Sequence, residues 1–184
     1  APLGFDIRHT YSIVISSLSE RSPDYIPKEK RERPDGVHLL TALDRIRTYP
    51  GVESACLTDG GMPYYMGSRN LVWRIDTLQV PCRYAFVTPE FFDVFRIYDK
   101  DGKTASLKRA IEDNNSIVTS ADVETMNPGR SLLGQKAYRG NVTDEIEETI
   151  RGISVPIRRH EYTKAEPNVY RALRLSRMEE GYYE

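Results

Sequence analysis

Residues 129–136 are the part of this chain that comes nearest to a site for chemistry. Gly129 and Gly134 stand at the spacing of a phosphate-binding loop, with Lys136 close behind. Such a loop needs the lysine directly after the second glycine and then Ser or Thr, whose hydroxyl holds magnesium. Here Gln135 intervenes, Ala137 follows the lysine, and no hydrophobic strand leads directly into the loop. Nucleotide binding by this segment is therefore rejected. His9, His38 and His160 lie far apart, and none neighbours a Cys or Ser in a nucleophile motif. The serines lack a Gly-x-Ser-x-Gly elbow. Asp144 and Glu145 are adjacent acids in a polar stretch, where nothing apolar would raise a carboxyl pKa. Asp99-Lys100-Asp101-Gly102 starts like a calcium loop, but the later acidic ligands are missing and a turn is the expected form. Asn141-Val142-Thr143 is a glycosylation sequon of the kind that arises by chance. No catalytic residue, metal ligand or cofactor contact is assigned.

Two features remain. Cys56 and Cys82 are too few for a disulfide framework or a structural metal site. They are expected on strands of one lobe as buried thiols; a bridge would need those strands to be neighbours in register. The loop 59–68 carries Met62, Tyr64, Tyr65 and Met66, soft or amphipathic groups common at binding surfaces. These four form the candidate partner surface. The competing expectation is a loop that folds back over the sheet, since single exposed aromatics are ordinary.

The totals narrow the class. The chain has 184 residues, enough for one medium domain or two small lobes. Twenty-six basic and 27 acidic side chains leave a net charge of -1, without the positive field that a nucleic-acid partner needs. The run 28–33 mixes both signs and reads as a solvated loop. No apolar run approaches the ~20 residues that cross a bilayer.

The elements follow from periodicity. Residues 80–88 alternate, with Cys82, Tyr84 and Phe86 on one side, as in a strand with a buried face. At Thr88-Pro89 the period changes, and Phe91, Phe92, Val94 and Phe95 recur at helical spacing, with Thr88 as the expected cap. Four of the five Phe residues fall between Phe86 and Phe95, so the densest core is expected here. Residues 10–18 are predicted as the first strand, with Tyr11, Ile13 and Ile15 on one face. A helix follows Asp35, with Leu39, Leu40, Leu43 and Ile46 as its apolar stripe, stopped at Tyr49-Pro50-Gly51. Strands are predicted over 52–58 and 70–77, the latter in an antiparallel hairpin with 80–88. Beyond Ile97 the pieces shorten: helices over 105–112 and, capped by Ser120, over 120–126, and strands over 116–119, 135–138 and 148–157. Residues 168–175 read as a strand or the start of a helix. The change in texture predicts two lobes, 1–96 with 148–184 and an insertion at 97–147, in a mixed α/β (α+β) fold.

Four stretches carry a family resemblance: Leu43–Ser54 with its Pro-Gly-Val turn, Phe86–Phe95, Asn115–Thr119 through Gly134–Lys136, and Ile150–Val155. In this order they resemble the MacB-like periplasmic core domain of ABC-transporter permeases of the FtsX/macrolide-exporter type. The resemblance implies a porter-like lobe with a small inserted α/β lobe and no enzymatic activity. It implies a bacterial, extracytoplasmic setting on the periplasmic side of the inner membrane. It also implies flanking transmembrane helices, a separate nucleotide-binding domain or subunit as partner, and a periplasmic protein or substrate outside. Flanking helices and a further strand–helix–strand are absent from the sequence, so the chain is expected to be an excised domain. The alternative is a free-standing α/β ligand-binding module or enzyme, motivated by the tyrosine-rich loop and the charged surface.

Overall fold

In a computed structural model, which describes residues 2–13, 18–30, 35–64, 69–113, 115–126, 128–139 and 146–174, the strands pair full circle. The strands are β1 (Thr58–Asp59), β2 (Arg69–Ile75), β3 (Leu78–Val87), β4 (Ser116–Ser120), β5 (Lys136–Arg139), β6 (Ile146–Ser154) and β7 (Asn168–Ala172). Their order is β1-β3-β2-β5-β6-β4-β7, and β7 also pairs with β3. Six strands thus close a ring, with β1 as a short addition to β3. Closure removes the unpaired edges that an open sheet must protect. The ring is mixed: β3 and β7 run parallel, as do β4 and β6, and the remaining neighbours are antiparallel.

The alternation seen in the sequence now acquires an inside and an outside. Trp73, Ile75, Val80, Cys82, Ile117, Ala137, Ile150 and Val169 form one buried cluster to which every ring strand contributes. Val123 and Leu132 join it from α4 (Asp122–Thr125) and the turn before β5. The outward residues Ala85, Val87, Val118 and Tyr170 form a second core beneath α2 (Phe91–Val94) and α3 (Ala105–Glu112). Phe91 and Phe92 both pack on Tyr170, with ring centroids 5.4 and 5.6 Å away. Gly152 on β6 marks the closest approach of α3. A Cβ there would stand 3.0 Å from Val118, 3.1 Å from Ala110 and 3.3 Å from Leu107.

The hairpin of β2 and β3 has the expected pairing, with Trp73 opposite Val80 and Leu71 opposite Cys82. The helix α1 (Asp35–Arg47) stops before the Pro-Gly turn as its sequence requires. Residues 168–172 are strand, which decides between the two forms left open.

Other expectations are corrected. Residues 10–13 and 18 form no strand, and Tyr11 and Ile13 are 86% and 67% exposed; residues 14–17 lie outside the described residues. The closed ring leaves no long free edge for another strand. The chain just ahead of it is tied along the outside, the Asp6 amide donating to the Phe95 carbonyl at 2.9 Å. Of residues 52–58 only Thr58 is strand, followed by Asp59, paired with Val87 and Phe86. Extending that antiparallel pairing backwards would require partners beyond Val87, where β3 has already turned towards α2. Cys56 accordingly lies outside a strand. The Thr88 hydroxyl does not cap α2; it accepts the Leu57 amide at 3.1 Å. Ser120 does not cap α4, because its hydroxyl accepts the Asn168 amide at 3.0 Å. The helix at Phe91 is one turn, ended by Arg96 at φ 51°, with the Ile97 amide closing onto the Phe92 carbonyl at 2.9 Å. Strands β4 and β5, from the stretch expected as an inserted lobe, hydrogen-bond into the ring, β4 between β6 and β7. The fold is α+β. Among the described residues no helix is long and apolar enough to cross a membrane.

The two cysteines sit in different cores, Cys82 inside the ring and Cys56 against the outer one, and both are free thiols. Burial pushes each thiol up to about 12, so neither supplies thiolate at neutral pH. Native protein is expected to react slowly with a maleimide at pH 7 and quickly in denaturant. Fast native labelling of both would contradict this packing. Replacing Gly152 with Ala is expected to lower unfolding free energy by about 1–3 kcal/mol in denaturant titration, the usual range for overpacking.

Candidate functional site

The candidate partner loop leaves β1 through Gly60 and Gly61, at φ +83° and +73°. A Cβ on Gly61 would lie 2.5 Å from that of Ala85, so only glycine lets the chain pass this close to β3. Asp59 anchors the start. It is 3% exposed and pairs with Arg69 at 2.8 Å, across the base of the loop. Met62 turns inward and packs on the outer core. Tyr64 is held at φ +61°, donates its hydroxyl to Glu161 at 2.8 Å, and meets Phe5 edge-on with centroids 5.8 Å apart. That hydrogen bond raises the phenol pKa, while that of the Glu161 carboxyl is lowered first by its own backbone amide and then by the Tyr64 hydroxyl, so both stay in the forms that make the bond. The described half of the loop thus folds back over the sheet, with the Tyr64 ring still exposed. Tyr65 and Met66 lie outside the described residues.

The rejected glycine loop serves the ring. Gly129 and Gly134 adopt φ +90° and +84°, and between them Leu132 is fully buried in the interior core. Lys136 pairs with Glu147 at 2.6 Å on the neighbouring strand. His9 and His38 are exposed, and the Nδ1 of His160 accepts the Tyr162 amide at 3.2 Å. Asp99 accepts the amides of Asp101 and Lys103, both at 2.9 Å, as the expected turn. Among the described residues no three His, Cys, Asp or Glu side chains are grouped to hold a metal.

Two arrangements were missed by sequence reasoning. The first is Glu148, 2% exposed on β6. Its carboxylate receives the Arg171 guanidinium at 2.5–2.6 Å and the Trp73 indole N–H at 3.2 Å, with Arg139 at 3.5 Å. The Arg171 guanidinium also lies over the Phe86 ring, 4.8 Å from its centroid. The signal was available, because Glu148 alternates in register with Ile150 on the inward face of a predicted strand. The second is an open cleft of about 780 Å³ between the N-terminal segment and residues 155–165. No periodicity could have revealed it, since its walls come from segments without regular structure.

No protein-family model and no curated protein matches the chain. Among solved structures it is similar to the periplasmic region of MacB from Actinobacillus actinomycetemcomitans, at 10% identity and a TM-score of 0.49, over 72% of this chain and 54% of that one. It is similar to a domain of a putative permease protein from Porphyromonas gingivalis, at 18% identity and 0.46, over 70% and 49%. It is also similar to the extracellular domain of the noncanonic ABC-type transporter YknZ from Gram-positive bacteria, at 13% and 0.47, over 72% and 60%. The chain spans about half the length of the first of these.

Glu148→Gln would leave Arg171 buried beside a neutral amide. Removing one partner of a buried pair costs about 3–5 kcal/mol, and a loss of that size is expected in chemical denaturation. A change below about 1 kcal/mol would show that the pair is solvated.

Proposed function

We propose that this chain is a non-catalytic, extracytoplasmic domain of an ABC-transporter permease, on the periplasmic side of the inner membrane. In this reading it works mechanically. Flanking membrane helices move it, a separate nucleotide-binding domain or subunit supplies ATP hydrolysis, and the domain presents a surface to a substrate or protein outside the membrane. The partner surface proposed is the loop bearing Met62, Tyr64, Tyr65 and Met66.

The observation that carries the reading is where the family-like stretches fall. Phe86–Phe95 joins β3 to α2 and supplies the aromatic centre of the outer core. Gly152, in the Ile150–Val155 stretch, lets α3 lie against the sheet. The Pro-Gly-Val turn follows α1, whose Arg47 pairs with Glu90 at 2.5 Å, at the entry to α2. Residues chosen for their resemblance are the ones that hold the layers together, and a rigid body is what a mechanical coupler requires.

A test uses the full-length protein with alkaline phosphatase inserted at Gly102, an open turn where a side chain would meet nothing within 4 Å. Phosphatase activity in intact cells is expected; an inactive fusion of normal abundance would place the domain in the cytoplasm and overturn the reading. Calorimetry of the domain with ATP and magnesium is expected to show no saturable binding. Micromolar affinity abolished by Lys136→Ala would reinstate the glycine loop as a phosphate site.

A further inference from the structure

The cleft between the N-terminal segment and residues 155–165 has the size and lining of a small-molecule site. Its volume, about 780 Å³, falls within the roughly 300–1,000 Å³ usual for ligand pockets. Phe5, Tyr98, Val155 and Pro156 give it apolar walls, and Tyr98 is 39% exposed although it is a large aromatic.

The walls are fixed by bonds that leave the cleft open. The Arg158 amide donates to the Leu3 carbonyl at 2.9 Å, and the Val155 amide donates to the Tyr98 carbonyl at 2.8 Å. Gly4, at φ +83°, passes so close to the Pro156 carbonyl that a Cβ would stand 2.1 Å from it. The Arg158 guanidinium donates to the Thr163 carbonyl at 2.5 Å and also to the Glu161 carbonyl, which shapes the loop that carries Lys164.

Charge selects the ligand. Asp6 and Arg96 both line the cleft and pair with each other at 3.0 Å, and Asp6 also holds Arg8 at 2.6 Å, so this corner carries no negative excess. Arg158 also lines the cleft with its guanidinium turned to the Thr163 and Glu161 carbonyls, and among the described residues Lys164 has no carboxylate partner, so the lining is net positive and the exposed Lys164 ammonium stands at the rim of an apolar trough. We propose that this cleft binds an amphiphile carrying a single carboxylate, its apolar body against Phe5, Tyr98, Val155 and Pro156 and its carboxylate at the Lys164 ammonium. Apolar contact supplies most of the affinity, and the ammonium supplies the preference for anions. The site rests on this geometry and not on the permease reading.

Laurate, kept below its micelle-forming concentration, is the probe, with dodecyltrimethylammonium as the charge-reversed control. Calorimetry of the wild-type protein is expected to give one-site laurate binding with a Kd below about 1 mM. The cation is expected to bind at least about threefold more weakly, the scale of one exposed charge pair. Lys164→Glu, at an exposed position, should weaken laurate at least about threefold and reverse the preference. Laurate should shift the backbone amide resonances of Tyr98, Val155 and residues 163–165 in the unmodified protein, a readout independent of any variant. No saturable laurate binding, equal affinity for both amphiphiles, unchanged affinity in Lys164→Glu, or shifts confined to other residues would each overturn the proposal.

Discussion

Closing six strands into a ring imposes a single demand that the rest of the molecule answers. Every strand must send alternate residues into one shared interior, and that interior must be filled to the density of a protein core. Trp73, Ile75, Val80, Cys82, Ile117, Ile150 and Val169 do most of the filling. The strands are short, so their side chains alone do not seal the ring. Leu132 from the turn before β5 and Val123 from α4 complete it. A segment that resembles a nucleotide loop in its glycine spacing is thereby explained as a plug. Its glycines adopt positive φ so that Leu132 can enter.

The same interior is charged at the other end. Glu148, Arg139 and Arg171 alternate in register with Ile150, Ala137 and Val169, so all three face inward. Burying a carboxylate costs several kcal/mol unless it is paired and hydrogen-bonded, and Glu148 has both kinds of partner. Arg171 belongs to β7, which does not neighbour β6, so this pair crosses the ring interior over β4. A slip of either strand by one residue would turn one charge outward and strand the other inside. The network thus disfavours wrong registers as well as holding the right one.

Outside the ring, one flank is sealed and another is open. One flank is sealed by α2 and α3 with Phe91, Phe92 and Leu107 beneath them, and the Asp93 carboxylate bonds Lys108 at 2.6 Å between the two helices. The flank lined by the N-terminal segment is left open as a cleft. Its walls are irregular chain held by isolated backbone bonds and by the Arg158 guanidinium, loop structure carried on the rigid ring. The tyrosine loop lies at the border of the two, with Met62 committed to the core and the Tyr64 ring still facing solvent.

The sequence by itself determined whatever is set within a few residues. Alternation located β2 and β3, helical spacing located α1, and Pro50-Gly51 placed a stop. The aromatic cluster at Phe86–Phe95 was recognisable as core because its hydrophobicity is local. Only the tertiary structure decided the rest. Residues 52–57 have strand composition but form no strand, because β3 turns away after Val87 and the pairing ends at the Leu57–Thr88 bonds. The hydroxyls of Thr88 and Ser120 look like helix caps, yet both bond segments distant in sequence. The short pieces after Ile97 read as a separate lobe, but β4 completes the ring between β6 and β7. The physical reason is the same in each case. Strand pairing joins residues far apart in the chain, so a strand's identity depends on whether a free edge remains for it, which no local pattern records.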